Sequence, residues 1–269
     1  MTRVALLGGG KMGAAFVSGL LDGGFDAEDL AVAEVDADRR RELESTFTGV
    51  RVVPSASWAV ADVDVVVVCL KPGDVADALA AAGAALGTDA LVLSIAAGVT
   101  IAALEAAAPG RPVVRAMPNT PATIRLGAAA IAGGAHATDA HLDLAERLLG
   151  ALGLVVRLPE AMLDAVTGLS GSGPAYVFLV AEALVEAGVL VGLARPVATA
   201  LVNQTLLGAA TLLATSGEGP EALRAAVTSP GGTTAAALRS LEAAGVRSAF
   251  IDAVDAATRR SRELGSAGR

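Results

Sequence analysis

The sequence predicts an α/β fold in its first half, a doubly wound sheet, followed by an all-helical C-terminal domain. Three observations predict it. Short apolar runs of strand length recur through the first half: Val4–Leu7, Leu30–Ala33, Asp64–Leu70, Ala90–Ile95 and Pro112–Ala116. Helical or turn patterns separate them, as a parallel sheet with crossover helices requires. Strand patterns then stop near Pro159, and helical patterns fill the rest of the chain. The expected division is residues 1–158 and residues 159–269.

The first run leads into Gly8-Gly9-Gly10-Lys11-Met12-Gly13 and then into a helical pattern through Leu21. Strand, glycine-rich turn and helix with the spacing Gly8-x-Gly10-x-x-Gly13 form a dinucleotide fingerprint, which makes the first half a Rossmann-type domain. Gly8 makes the tight turn, Gly10 lets a pyrophosphate approach the backbone, and Gly13 lets the helix pack on the strand. The strand Leu30–Ala33 ends at Glu34, where a carboxylate bonds adenosine ribose hydroxyls. Arg39, Arg40 and Arg41 follow. They face either a 2′-phosphate or solvent, so the choice between NADH and NADPH stays open here.

Asp64–Leu70 is a continuous run largely of β-branched residues, as in a strand covered on both faces. Lys71-Pro72-Gly73 ends it, and Asp74 is a candidate cap for the next helix. Lys71 is a cofactor-loop contact or a solvated loop residue. After Ala90–Ile95 come Ala96, Ala97 and Gly98, small enough for a nicotinamide or ribose to lie near the backbone. After Pro112–Ala116 comes Met117-Pro118-Asn119-Thr120-Pro121, which presents Asn119 at a strand end, the edge where open α/β sheets bind ligands. Ala128–Ile131, a helix near Asp139–Leu152 and Val155–Leu158 complete the half. His136 and His141 are expected at the surface.

In the second half, Met162–Leu169 reads as a short helix. Ser172 is the expected N-cap of a long one, with Pro174 in its first turn. That helix is apolar on most faces to Val191, more than one monomer of this size would cover. Pro196 starts another, with Asn203, Gln204 and Thr205 in its middle. Then comes Val227-Thr228-Ser229-Pro230-Gly231-Gly232-Thr233-Thr234 before an alanine-rich helix. This stretch reads either as a capped interhelical turn or as an anion site, with free N–H groups at a helix start and hydroxyls from Ser229, Thr233 and Thr234. None of its residues titrates near pH 7. A final helix begins near Ser248.

The composition excludes several function classes. Of the 269 residues, 54% are hydrophobic, which is ample for a core. Aromatics are 3%, too few for stacking platforms, and the net charge of −8 opposes nucleic acid and anionic membrane as partners. The single cysteine, Cys69, lies in an apolar run and permits no disulfide framework. No metal site is expected. Met1-Thr2-Arg3 runs straight into a strand pattern, so no signal peptide is expected. Glu182 and Glu186 interrupt the run from Tyr176 to Leu193, which favours a soluble helix over a membrane span. The expected location is the cytoplasm.

Gly8–Gly13, Lys71-Pro72, Arg115–Pro121, Ser170–Tyr176 and above all Ala225–Thr234 resemble the pyrroline-5-carboxylate reductase family, over essentially the whole chain. Lys11 departs from it, standing where many members have Asn or Ser. The resemblance implies NADPH- or NADH-dependent hydride transfer to the C=N bond of 1-pyrroline-5-carboxylate, giving L-proline. Ser229, Gly231, Gly232, Thr233 and Thr234 would bind this substrate. Thr234, by match to the family, would place its hydroxyl at the ring nitrogen as the catalytic side chain. Gly8, Gly10, Lys11, Met12, Gly13, Glu34, Leu70, Lys71, Pro72, Ala96, Ala97, Gly98 and Asn119 would bind the cofactor. The resemblance also implies a homodimer with interlocked helical domains, assembled further into an oligomer such as a decamer. Three rivals stand beside it. A two-domain hydroxyacid dehydrogenase needs a lysine in the helical half, and this chain has none after Lys71. A deazaflavin-dependent nicotinamide reductase would resemble mainly the first half. The third is a non-catalytic nucleotide sensor.

Overall fold

A computed structural model describes residues 2–267. The chain divides into two compact units, Met1–Ser172 with Ala256–Arg269, and Gly173–Asp255. The division in space thus falls later than residue 158, and the first unit includes the last turns of the C-terminal helix.

The first unit alternates strands and helices: β1 (Val4–Leu7), α1 (Lys11–Asp22), β2 (Leu30–Ala33), α2 (Ala37–Thr46), β3 (Arg51–Val53), α3 (Ala56–Ala59), β4 (Val65–Val68), α4 (Val75–Ala82), β5 (Leu91–Ser94), α5 (Ile101–Ala107), β6 (Val113–Met117), β7 (Gly127–Gly133), α6 (Asp139–Gly150), β8 (Gly153–Arg157) and α7 (Leu163–Val166). Among the described residues they form one eight-stranded sheet in the order β3-β2-β1-β4-β5-β6-β7-β8. The strands from β1 to β6 pair in parallel, β7 runs antiparallel to β6, and β8 parallel to β7. The order reverses at β1, which has β2 on one side and β4 on the other.

Both faces of this sheet are covered, which is why its strands read as unbroken apolar runs. Ala5 and Leu7 of β1 belong to one core, with Val66 and Val68 of β4, Val75 and Leu79 of α4, and Leu104 of α5. Val4 and Leu6 belong to the other, with Phe16, Val17 and Leu20 of α1 and Leu148 and Leu149 of α6. Alternation along a strand sends successive side chains to opposite faces.

The second unit holds α8 (Gly173–Leu190), α9 (Arg195–Thr215), α10 (Pro220–Ala226), α11 (Thr233–Ala243) and the start of α12 (Val246–Ala267). In α8 and α9 only Ala198 is buried within a single chain. Phe178, Leu179, Leu190 and Val191 are all more than half exposed. The apolar excess read from the sequence is therefore present as open helix surface.

Four local expectations change. Ser172 does not cap a new helix. Its N–H donates to Thr167 O at 2.8 Å, closing a π-turn over Thr167–Gly171, so the helical path runs from Glu160 to Leu190 without a break. The expected helix Met162–Leu169 is accordingly one 3-10 turn, the short α7 and this π-turn. Asp74 precedes α4 but makes no side-chain cap bond, because a 3-10 turn over Pro72–Asp74 already leads the chain into the helix. His136 is exposed as expected, while His141 is half-buried and forms a capping box with Thr138 at the start of α6.

Candidate functional site

The carboxyl ends of the parallel strands align. Leu7 pairs with Ala33 and Val68, Val68 with Ser94, and Ser94 with Arg115. The loops that follow therefore leave one edge of the sheet side by side: Gly8–Gly10, Glu34, Leu70–Pro72, Ala96–Gly98 and Asn119. The fold thus places these strand-end residues, which the sequence marked for the cofactor, along one edge of the sheet.

At the glycine turn the three fingerprint positions have three different surroundings. Gly8 has φ +103°, a region open to glycine, and a Cβ there would lie 2.6 Å from Cys69 O and 2.9 Å from Leu70 Cδ2. A Cβ on Gly13 would overlap the carbonyl oxygen of Gly8, so α1 packs on the turn with no side chain between. A Cβ on Gly10 would meet nothing within 4 Å. The missing side chain there opens a cradle at the first turn of α1, where unpaired N–H groups face outward. These surroundings fit a pyrophosphate. Lys11 is exposed at the first position of α1, and Met12 packs partly on the core, leaving its main chain to the site.

Glu34 is half-buried and doubly held. Its Oε2 accepts the N–H of Gly9 at 3.0 Å, and its Oε1 accepts the N–H of Asp36 at 3.0 Å. Asp36 in turn caps α2 by accepting the N–H of Arg39 at 2.8 Å. Arg39 Nε donates to Gly9 O at 2.6 Å, and Arg40 Nη1 donates to Glu34 O at 2.9 Å and Val35 O at 2.8 Å. Arg41 pairs with Asp38. Gly9, Asp36 and the destinations of Arg39 and Arg40 were missed by the sequence reading. Nothing in a run of three arginines indicates which carbonyl each will reach.

On the other strand ends, Leu70 packs against the core, while Lys71 and Pro72 are exposed. Cys69 beside them is only partly buried as a residue, yet its thiol is enclosed, and that burial pushes it up to about 12. It stays protonated and is no nucleophile. Ala96 is buried, so its methyl belongs to the core. Ala97 is exposed, and Gly98, at φ +77°, has open space where a side chain would be.

Asn119 solves a backbone problem. Pro174 has no N–H to give to Ser170 O four residues earlier. Asn119 Nδ2 donates to that carbonyl at 3.1 Å, and its Oδ1 accepts the N–H of Ala128 at 2.9 Å. A side chain on Gly171 would lie 2.7 Å from Met117 Cε, so the Gly-rich segment lets β6 approach the π-turn. One amide hydrogen of Asn119 remains for a ligand. Arg115, buried on β6, pairs with Glu160 at 2.9 Å, and the same Glu160 oxygen accepts the N–H of Ile101 at 2.7 Å. This ties β6 and the start of α5 to the segment that leads into the helical half.

The second group of marked residues belongs to the second unit and is described by itself. Ser229-Pro230-Gly231-Gly232 is a closed turn: Gly232 N–H donates to Ser229 O at 3.1 Å, and Gly231 has φ +70°. Pro followed by a left-handed Gly is the signature of a type II turn. A Cβ on Gly232 would overlap Ser229 Oγ. Gly232 is the N-cap of α11. Its N–H is spent on the turn, which leaves those of Thr233, Thr234 and Ala235 without an acceptor in the helix. The Thr233 side chain is exposed and Thr234 half-buried. Thr228, by contrast, turns its hydroxyl back to Arg224 O at 2.6 Å.

Comparison with known proteins finds matches to both halves of the chain. Residues 160–264 match the family described as pyrroline-5-carboxylate reductase dimerisation. Residues 3–98 match that described as NADP oxidoreductase coenzyme F420-dependent, a match confined to the first half. The chain is 46% identical to a pyrroline-5-carboxylate reductase of Mycobacterium tuberculosis (strain ATCC 25618 / H37Rv), over 98% of this chain and 97% of that one. It is 43% identical to one of Pseudomonas aeruginosa, over 97% and 96%. The structure of a pyrroline-5-carboxylate reductase from Coxiella burnetii superposes with a TM-score of 0.91 at 34% identity, covering 98% of both chains. The Plasmodium falciparum pyrroline carboxylate reductase, solved with NADP bound, gives 0.85 at 27% identity, again over 98% of both. With a glycine cradle at the switch point of its sheet, a closed Ser-Pro-Gly-Gly turn before α11 and these relatives across its length, the chain belongs to the pyrroline-5-carboxylate reductase family.

Proposed function

We propose that the chain reduces 1-pyrroline-5-carboxylate to L-proline with NADH or NADPH. The carrying observation is the closed turn before α11. It offers three unpaired N–H groups and a half-buried threonine hydroxyl, with no titratable side chain among its own residues. That suits a substrate that is a carboxylate joined to an imine. The N–H groups of Thr233, Thr234 and Ala235 hold the carboxylate, with Ser229, Gly231 and Gly232 shaping the turn. The Thr234 hydroxyl bonds the ring nitrogen. A protonated imine is already electrophilic, so holding it in place is the main task of the protein. The bound nicotinamide supplies the hydride.

For the cofactor, Gly8, Gly10 and Gly13 with the N–H groups of Lys11 and Met12 take the pyrophosphate, and Glu34 takes the adenosine ribose. Leu70, Lys71, Pro72, Ala96, Ala97, Gly98 and Asn119 border the nicotinamide half. Residues 1–158 are the dinucleotide-binding part, and 159–269 the substrate and dimerisation part. The match to a dimerisation family makes the chain a homo-oligomer. A homodimer, built up to a decamer or similar assembly, would cover the open faces of α8 and α9. Two helical stretches, Glu160–Leu190 and Arg195–Thr215, are long and apolar enough to cross a membrane. Glu182 and Glu186 on the first, and an interface to bury both, support a soluble cytoplasmic protein without membrane or nucleic-acid partners.

The test is oxidation of NADH and NADPH by the purified protein with 1-pyrroline-5-carboxylate, with proline identified by chromatography. Turnover with proline as product is expected. Cofactor binding without turnover would leave a nucleotide sensor.

A further inference from the structure

We infer that this chain prefers NADH, and that Glu34, pinned between Gly9 and Asp36, is the residue that excludes the 2′-phosphate of NADPH. This rests on the function proposed above and deepens it. A carboxylate at this strand end can tolerate a 2′-phosphate if it swings aside or if a cation neutralises the pair. Both routes carry a cost here. One oxygen of Glu34 accepts from Gly9 N and the other from Asp36 N, each at 3.0 Å. Turning the side chain away would strip two main-chain N–H groups of their acceptor, one of them in the glycine turn itself. Each oxygen keeps a further lone-pair direction, which suits a ribose hydroxyl as donor and repels a phosphate.

The neighbouring arginines are tied into the same loop. Arg39 spends Nε on Gly9 O and Nη1 on Glu42 Oε2, both at 2.6 Å. Arg40 spends Nη1 on the carbonyls of Glu34 and Val35. Arg41 pairs with Asp38. Swinging either guanidinium out to a phosphate would pull on the bonds by which Arg39 Nε and Nη1 and Arg40 Nη1 shape the same loop. Val35, between Glu34 and Asp36, is 87% exposed and brings no charge. The arginine run that the sequence left ambiguous is thus a set of backbone ties.

The experiment is calorimetric titration of the whole protein with NADH and with NADPH in the absence of substrate, alongside kcat/KM for both. NADH should bind at least about tenfold more tightly, the scale of one unfavourable charge contact. In Glu34→Gln the NADPH affinity should rise and the ratio should narrow about tenfold. If Glu34 were only a brace, that variant would weaken both cofactors alike and leave the ratio unmoved, which overturns its role. Tighter or equal binding of NADPH by the parent chain overturns the preference while leaving the reductase reading intact. Binding of neither removes both.

Discussion

Thr234 and Gly10 illustrate two ways in which one residue can matter. The Thr234 hydroxyl is the only side-chain handle proposed for the ring nitrogen, whereas Thr233 contributes its N–H. Thr234→Val keeps the shape and removes one hydrogen bond to a charged group, worth roughly 1.5–3 kcal/mol. Steady-state kinetics should show kcat/KM falling about ten- to a hundredfold, and Thr233→Val should cost less. Near-parent kinetics in Thr234→Val would reassign the ring nitrogen to water. Gly10 matters for what it leaves empty. Its φ of −63° is open to any residue, and a Cβ would touch nothing within 4 Å. Gly10→Val should therefore melt near the parent temperature yet lose about ten- to a hundredfold in cofactor affinity, as the side chain fills the cradle and its N–H contact is lost. Titration and a thermal melt check both halves. The Gly10 position was legible from the fingerprint spacing at the start of a helix, whereas the role proposed for Thr234 comes from the family resemblance. The bracing of Glu34 was not legible, because its partners are main-chain groups 25 and 2 residues away that the chain brings near only when folded.

Among the elements, those buried on both faces were the readable ones. β1 and β2 were placed to the residue, and β4, β5 and β6 to within one or two at their ends, because unbroken Val, Leu and Ala runs need two covering layers. β3 was missed. It has three residues, begins with an exposed arginine and lies at the sheet edge, so it carries no periodicity to read. The break expected at Ser170–Pro174 was also wrong for a physical reason. Gly, Ser and Pro usually end a helix, but here Asn119 supplies the donor that Pro174 lacks, and the path continues through a π-turn. The link from Glu160 to Arg115 and Ile101 is a second such long-range tie. Glu160→Ala would leave a buried guanidinium and the first N–H of α5 unanswered. A fully buried pair broken on one side costs about 3–5 kcal/mol. Glu160 keeps 34% of its side-chain exposure, so urea unfolding should show a loss of roughly 2–3 kcal/mol. Glu160→Gln, which keeps an acceptor for Ile101, should lose less.

On the scale of the whole molecule, α8 and α9 expose far more apolar surface than a soluble monomer sustains. Sedimentation should find dimers or larger assemblies, with no folded, active monomer on dilution, since the helical unit completes its core only against another copy. The remaining consequence concerns time. β1 is synthesised first, and one of its neighbours, β4, pairs with it from Val65 onward. At roughly 5–20 residues per second of synthesis, that neighbour arrives about 3–12 s later. Until then a fully apolar strand has only β2 beside it. Once closed, β1 carries a ladder on each side and opens only with the whole sheet. Amide hydrogen exchange should therefore be slowest at Ala5, Leu6 and Val66–Val68, and the Gly8 N–H, bonded to Ala33 O at 2.9 Å, should keep pace with them. The turn proposed to receive the nucleotide would then be anchored in a part of the protein that is late to close and among the last to open.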